Sequence, residues 1–159
     1  MSNQQTQVLI ISSDPLAAKL AGPGIRAMEM ARYIAQSCAV TLAAPNRADV
    51  SIPGVTCVAF QPADQAHMLE LVALADVVVA QGYTFYHYPV IAASKKITVV
   101  DLYDPFHLEN LEMHTKNRHP QRRELAISDI GVLADQLQLG DFFICASERQ
   151  RDLWLGALS

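Results

Sequence analysis

Short apolar runs alternate along this chain with stretches whose apolar residues recur every three or four positions. The runs lie at 8–11, 38–44, 55–60, 76–80, 97–102 and 141–146, bounded by Gly, Pro, Asn and Asp. Continuous apolar runs of this length are the signature of strands buried on both faces of a parallel sheet. Between them, 24–36 carries Ile25, Met28, Ala31, Ile34 and Ala35 at helical spacing, and 66–75 carries Met68, Leu71, Val72 and Ala75. The clearest helix is 124–139. Its Ala126, Ile127, Ile130, Leu133, Ala134 and Leu137 fall on one side, which predicts the buried face, and Gly140 stops it. Shorter helical pieces are expected at 107–114 and at 86–96, the latter with Pro89 in its first turn. Phe106 is expected to pack back onto the sheet. Ser147-Glu148-Arg149-Gln150 matches a capping box, so a last helix starts at Glu148.

Strands alternating with helices predict a three-layer α/β/α, Rossmann-like, doubly wound and mainly parallel sheet of about six strands. The unit at 7–36 organises it: a strand, the loop 12–23 running from Asp14-Pro15 to Gly22-Pro23-Gly24, and a helix. In such a fold a ligand meets the carboxyl ends of the strands, near the point where strand order reverses. The residues delivered there are 12–24, 81–83, 101–104 and 147–148. A glycine-bearing loop leading into a helix presents free N–H groups and a positive dipole end to an anion. Arg26 in the first helical turn opposes that dipole, so it either serves another charge or is a solvated surface residue.

With 159 residues, half of them apolar and 18% charged, the chain has enough material for one domain with a real core. A net charge of −4 argues against a nucleic-acid footprint. No apolar run approaches the roughly 18 residues of a membrane span, and the polar start MSNQQTQ is not a secretory signal. Cys38, Cys57 and Cys145 have no metal-ligand spacing, and they read as buried free thiols of a cytoplasmic protein. The five histidines form no ligand cluster, so no metal is expected. His87 and His107 follow strands closely enough to reach a site or to be ordinary surface histidines. Gly22-Pro23-Gly24-Ile25-Arg26-Ala27 matches the dinucleotide pattern G-x-G-x-x-A. Here, however, about ten residues separate it from its strand, and no carboxylate follows the second strand; no dinucleotide cofactor is therefore expected. Asp101, Tyr103 and Asp104 end a buried strand, where acids bind hydroxylated substrates, take a proton or merely cap a turn. Lys116, Arg118, Arg122 and Arg123 make a basic loop, either simply solvated or aimed at a phosphate or a membrane surface.

VLIIS, AGPGIRAMEMARYIA, VTLAAP, DVVVAQG, ITVVDLYDP and FFICASERQRDLWLGAL together resemble the amino-terminal half of GT-B glycosyltransferases of the retaining group 1 class, from about Val8 to Leu158. The resemblance implies an acceptor-side domain of a nucleotide-sugar-dependent enzyme that transfers a hexosyl group to a glycan, lipid or other hydroxyl acceptor. It implies no cofactor beyond the nucleotide-sugar donor. Gly22, Pro23, Gly24 and Arg26 would approach the donor diphosphate, with Gln81 and Gly82 beside them. Asp101, Tyr103 and Asp104 would line the cleft as catalytic candidates. The family's E-x7-E pair is absent: Glu109, Glu112 and Glu124 are followed eight positions on by Asn117, Pro120 and Val132. That pair belongs to a donor domain. Residues 1–159 are thus expected to be one Rossmann-like domain lacking its donor-binding partner, inactive alone, cytoplasmic and peripheral to the inner face of the membrane. A non-catalytic Rossmann-like binding or interaction module is the alternative reading.

Overall fold

The structure, a computed structural model, describes residues 5–158. All six apolar runs are strands: β1 (Gln7–Ile11), β2 (Ala39–Pro45), β3 (Val55–Phe60), β4 (Val77–Ala80), β5 (Ile97–Asp101) and β6 (Phe142–Ile144). They form one all-parallel sheet in the order β3-β2-β1-β4-β5-β6. The expected α/β, Rossmann-like, doubly wound architecture is therefore the observed one.

Strand alternation divides the core in two. Leu9, Ile11, Val78 and Val100 point to one side of the sheet, with Met68, Val72, Phe106, Val132, Leu133 and Trp154 packed over them. Val8, Ile10, Val40, Leu42 and Val79 point to the other, under Ala27, Ala31, Leu16 and Ile52. The two layers are unequal. The first side holds α2 (Gln65–Leu74), α3 (Thr84–His87), α4 (Val90–Ala93), α5 (Phe106–Lys116), α6 (Arg122–Leu139) and α7 (Glu148–Leu158), whereas among the described residues the second has only α1 (Gly22–Ile34) and the loops after β1 and β2. Past α1, the β5–β6 end of the second side is open, leaving Ile97 53% and Phe142 68% exposed.

Several sequence-based expectations are corrected. The first helix begins at Gly22, not Gly24, because Pro23 sits in its first turn, where a missing N–H costs nothing. The 86–96 helix is two single turns instead. Pro89 precedes the second turn as its cap, and Tyr88 is pulled out of helical geometry with its hydroxyl donating to the Pro62 carbonyl at 2.7 Å. In α6 the buried residues are Asp129, Val132, Leu133 and Gln136, while Ile127 and Ile130 face solvent. Counting apolar residues misplaced that face, because two polar side chains have partners inside. The cysteines are free but only half-buried. The capping box at Ser147 is present: its hydroxyl accepts from the Gln150 N–H at 3.2 Å, and the Gln150 amide oxygen accepts from the Ala146 N–H at 2.8 Å.

Candidate ligand site at the carboxyl edge

Strand order reverses between β1 and β4, so the loops that follow these two strands diverge and leave a crevice between them. Ser12 and Ser13 come from one side of it, Tyr83, Thr84 and His87 from the other, and Pro45, Phe60 and Tyr88 close a cavity of about 290 Å³. Gln81 spans the reversal point, its amide donating to the Ser13 hydroxyl at 2.9 Å, while its Oε1 is buried without a partner among the described residues. Gly82 has a positive φ of 55°, a conformation glycine adopts without strain, and its N–H donates to the buried Gln136 amide at 3.1 Å.

The α1 N-terminus lies on the same edge. Its cap, Ala21, offers no side-chain acceptor, and the Gly22 and Gly24 N–H groups find none among the described residues. The two glycines differ in surroundings. A Cβ at Gly24 would meet Leu16 Cδ2 at 3.3 Å, so this glycine accommodates the β1–α1 loop, whereas at Gly22 only the Tyr103 hydroxyl comes near, at 3.2 Å. That loop folds down onto the chain after β2: the Leu16 N–H donates to the Arg47 carbonyl and the Asp49 N–H to the Leu16 carbonyl. Leu16 is fully buried there.

Arg26 is not free for an anion. Its guanidinium makes two bonds to Asp101, Nε to Oδ2 at 2.6 Å and Nη2 to Oδ1 at 2.9 Å, and lies 4.9 Å from the Tyr103 ring centroid. The hydrogen bond to Asp101 raises the Arg26 pKa against the opposing effect of burial. Asp101, 6% exposed, also accepts from the Tyr103 N–H. Of the residues expected to be catalytic, Asp101 and Tyr103 are thus brought together with Arg26 in a structural ion pair. Asp104 stands apart, its pKa raised by burial first and by the neighbouring Glu109 and Asp14 carboxylates next. The expected cofactor residues divide as well. Gly22, Pro23 and Gly24 open α1 with Arg26 behind them, and Gln81 and Gly82 lie across the reversal point.

A polar cluster behind this edge was not anticipated. The Tyr83 hydroxyl donates to Asp129, which is buried in α6 and also accepts from Asn110 at 3.1 Å. Burial, then Asp129, pushes the Tyr83 pKa up to about 12. The sequence signal was the pair Asp129 and Gln136, seven positions apart on the face that also carries Val132 and Leu133. His107 is not in the crevice; it is packed between Phe106 and Trp154, and burial lowers its pKa. His87 does line the cavity. No group of three metal-capable side chains exists among the described residues.

Two solved structures share the architecture. They are a short-chain dehydrogenase/reductase (wide type) from Veillonella parvula DSM 2008 in complex with NADP, 11% identical, and an ethylated short-chain dehydrogenase/reductase from the same organism, 14% identical. Each has a TM-score of 0.54 over 89% of this chain and 68% of its own. The likeness fixes the fold. No family model matches the sequence, and no curated protein does.

These neighbours overturn the glycosyltransferase reading. Chains of this architecture need not be GT-B acceptor domains, because the strand pattern that carried the resemblance is shared by any parallel doubly wound sheet. The nucleotide-sugar donor and the transferase assignment go with it. The expectation of no cofactor is corrected too, since a neighbour of the same fold is in complex with NADP. The architecture is one used by enzymes. Among the described residues, no helix is long and apolar enough to cross a membrane.

Proposed function

We propose that this chain is the nucleotide-holding domain of an enzyme and takes a phosphate-bearing nucleotide along the carboxyl edge of its sheet. The observation that carries the reading is the reversal of strand order at β1 and β4. It sets Ser12 and Ser13 opposite Tyr83 and Thr84 across one cavity, on the edge where α1 begins uncapped. Serine and threonine hydroxyls suit a ribose or a base edge, the Tyr83 ring gives an apolar wall, and unpaired N–H groups at a helix start suit a phosphate. An NADP-type dinucleotide fits this edge in part. The donors fit a phosphate at Gly22, while the space a pyrophosphate takes over the third residue of the glycine pattern is filled here by Leu16. Asp101 is bound to Arg26, so no step of proton transfer is assigned to it.

The test is titration of NADP, NAD and ADP into the purified chain, followed by amide NMR. Saturable shifts at Ser12, Ser13, Gly22 and 82–84 support the reading, and the ligand with the tightest curve names the nucleotide class. Absence of saturable shifts at millimolar concentration of all three, or shifts confined to other segments, overturns it.

A further inference from the structure

We propose that the tip of the α5–α6 hairpin docks on an anionic lipid bilayer. The segment from Met113 to Arg123 holds Lys116, Arg118, Arg122 and Arg123 and no acid, in a chain whose net charge is −4. All four cations are exposed, and none forms an ion pair among the described residues. Glu112 and Glu124 bracket the segment, so the positive charge is confined to the tip. The turn is held in shape by Arg118, whose φ is 50°, with its N–H bonded to the Thr115 carbonyl at 3.1 Å and the His119 N–H to that of His114 at 2.9 Å.

Charge alone would suit any polyanion; the apolar side chains beside it favour a bilayer. Arg123, Ile127 and Ile130 share one face of α6 by their i, i+4, i+7 spacing, and the two isoleucines are 61% and 58% exposed. Leu111 and Met113, near the same end of α5, are 43% and 48% exposed. A basic turn flanked by uncovered aliphatic side chains matches an interface that has anionic headgroups outside and acyl chains beneath.

The placement gives this docking a consequence. Asp129 and Gln136 of α6 meet the residues that follow β4, so that part of the helix is level with the carboxyl edge of the sheet. Arg122 lies seven residues earlier, about 10 Å further out at 1.5 Å per residue. The hairpin tip therefore projects beyond the edge that carries the candidate site, and docking through the tip and the Arg123–Ile127–Ile130 face would lay the outer end of α6 along the lipid, with that edge beside the surface.

The experiment is vesicle co-sedimentation of the whole chain. It compares phosphatidylcholine vesicles with vesicles containing 30% phosphatidylglycerol, each at low and high salt. Binding is expected only to the anionic vesicles, and salt should weaken it. The variant with Lys116, Arg118, Arg122 and Arg123 all changed to Gln should lose roughly five-fold per cation removed. Ile127→Ser with Ile130→Ser should weaken binding at unchanged charge, and Arg149→Gln, an exposed cation elsewhere, should leave it unchanged. All sites are exposed, and circular dichroism of each variant verifies folding. Binding to neither vesicle, equal binding to both, or retention by the four-fold variant overturns the proposal. So does binding to heparin or RNA without binding to vesicles, which would make the partner a soluble polyanion.

Discussion

Removing the Arg26 guanidinium leaves Asp101 buried with one backbone N–H and no counter-charge. Breaking a buried pair from one side costs about 3–5 kcal/mol. Arg26 is 26% exposed, so solvent screens part of this, and Arg26→Ala should lose about 2–3 kcal/mol in urea denaturation. Asp101→Asn should cost less when made on top of Arg26→Ala than when made alone, because the acid is then the orphan. Tyr83 gives a second test. Its folded pKa of about 12 exceeds the ordinary 10, so the unfolded chain gives up that proton first. The contribution is complete below pH 10 and is lost as pH rises from 10 to 12. Tyr83→Phe should flatten the stability profile in that window. Absorbance at 295 nm should show Tyr83 and Tyr88 ionising above the ordinary tyrosine value of about 10. Neither the Arg26–Asp101 pair nor the Tyr83–Asp129 bond was legible in the sequence. Their partners stand 75 and 46 positions apart, and no spacing rule reaches across that distance. Arg26 stands out in the sequence as a cation at the wrong end of a helix dipole, and its partner in the structure is Asp101.

At the scale of elements, the strands and the start of α7 were the legible part. Apolar runs bounded by turn residues have few alternatives, and the Ser147–Gln150 capping box acts within one turn. Helix faces were less legible where the interior is polar. In α6 the apolar count pointed to Ile127 and Ile130, yet Asp129 and Gln136 go inward because Tyr83, Asn110 and Gly82 satisfy them. Paired mutations test the inversion. Gln136→Ala strips the Gly82 N–H of its acceptor and should cost about 1–3 kcal/mol. Ile130→Ser removes a larger apolar group but should stay within about 0.5 kcal/mol, as exposed substitutions do. Chemical denaturation of both reads the result, and a larger loss for Ile130→Ser would restore the face that periodicity alone suggests.

At the scale of the whole molecule, the alternation of strands and helices determined the sheet, and the sheet's order sets the edge on which the proposed site lies. It did not distinguish among families that share this architecture, since that distinction rests on a few side chains at the edge. Gly22 offers a way to separate fold from function there. It is exposed at the first position of α1, with no positive φ to relieve, and only the Tyr103 hydroxyl near its missing Cβ. Gly22→Asp places a carboxylate at a helix N-terminus, where it stabilises by about 0.3–1 kcal/mol through the dipole. The same carboxylate repels a phosphate. A nucleotide present at one hundred times its Kd adds about 2.7 kcal/mol to the parent protein. At about 2–4 °C per kcal/mol for a chain of this size, that is a rise in Tm of about 5–10 °C. The variant should melt no lower than the parent without ligand, yet should show little or no rise with it. A variant that keeps the full rise would remove the α1 N-terminus from the site. One that melts well below the parent in the absence of nucleotide would show that the Gly22–Tyr103 contact matters to the fold itself.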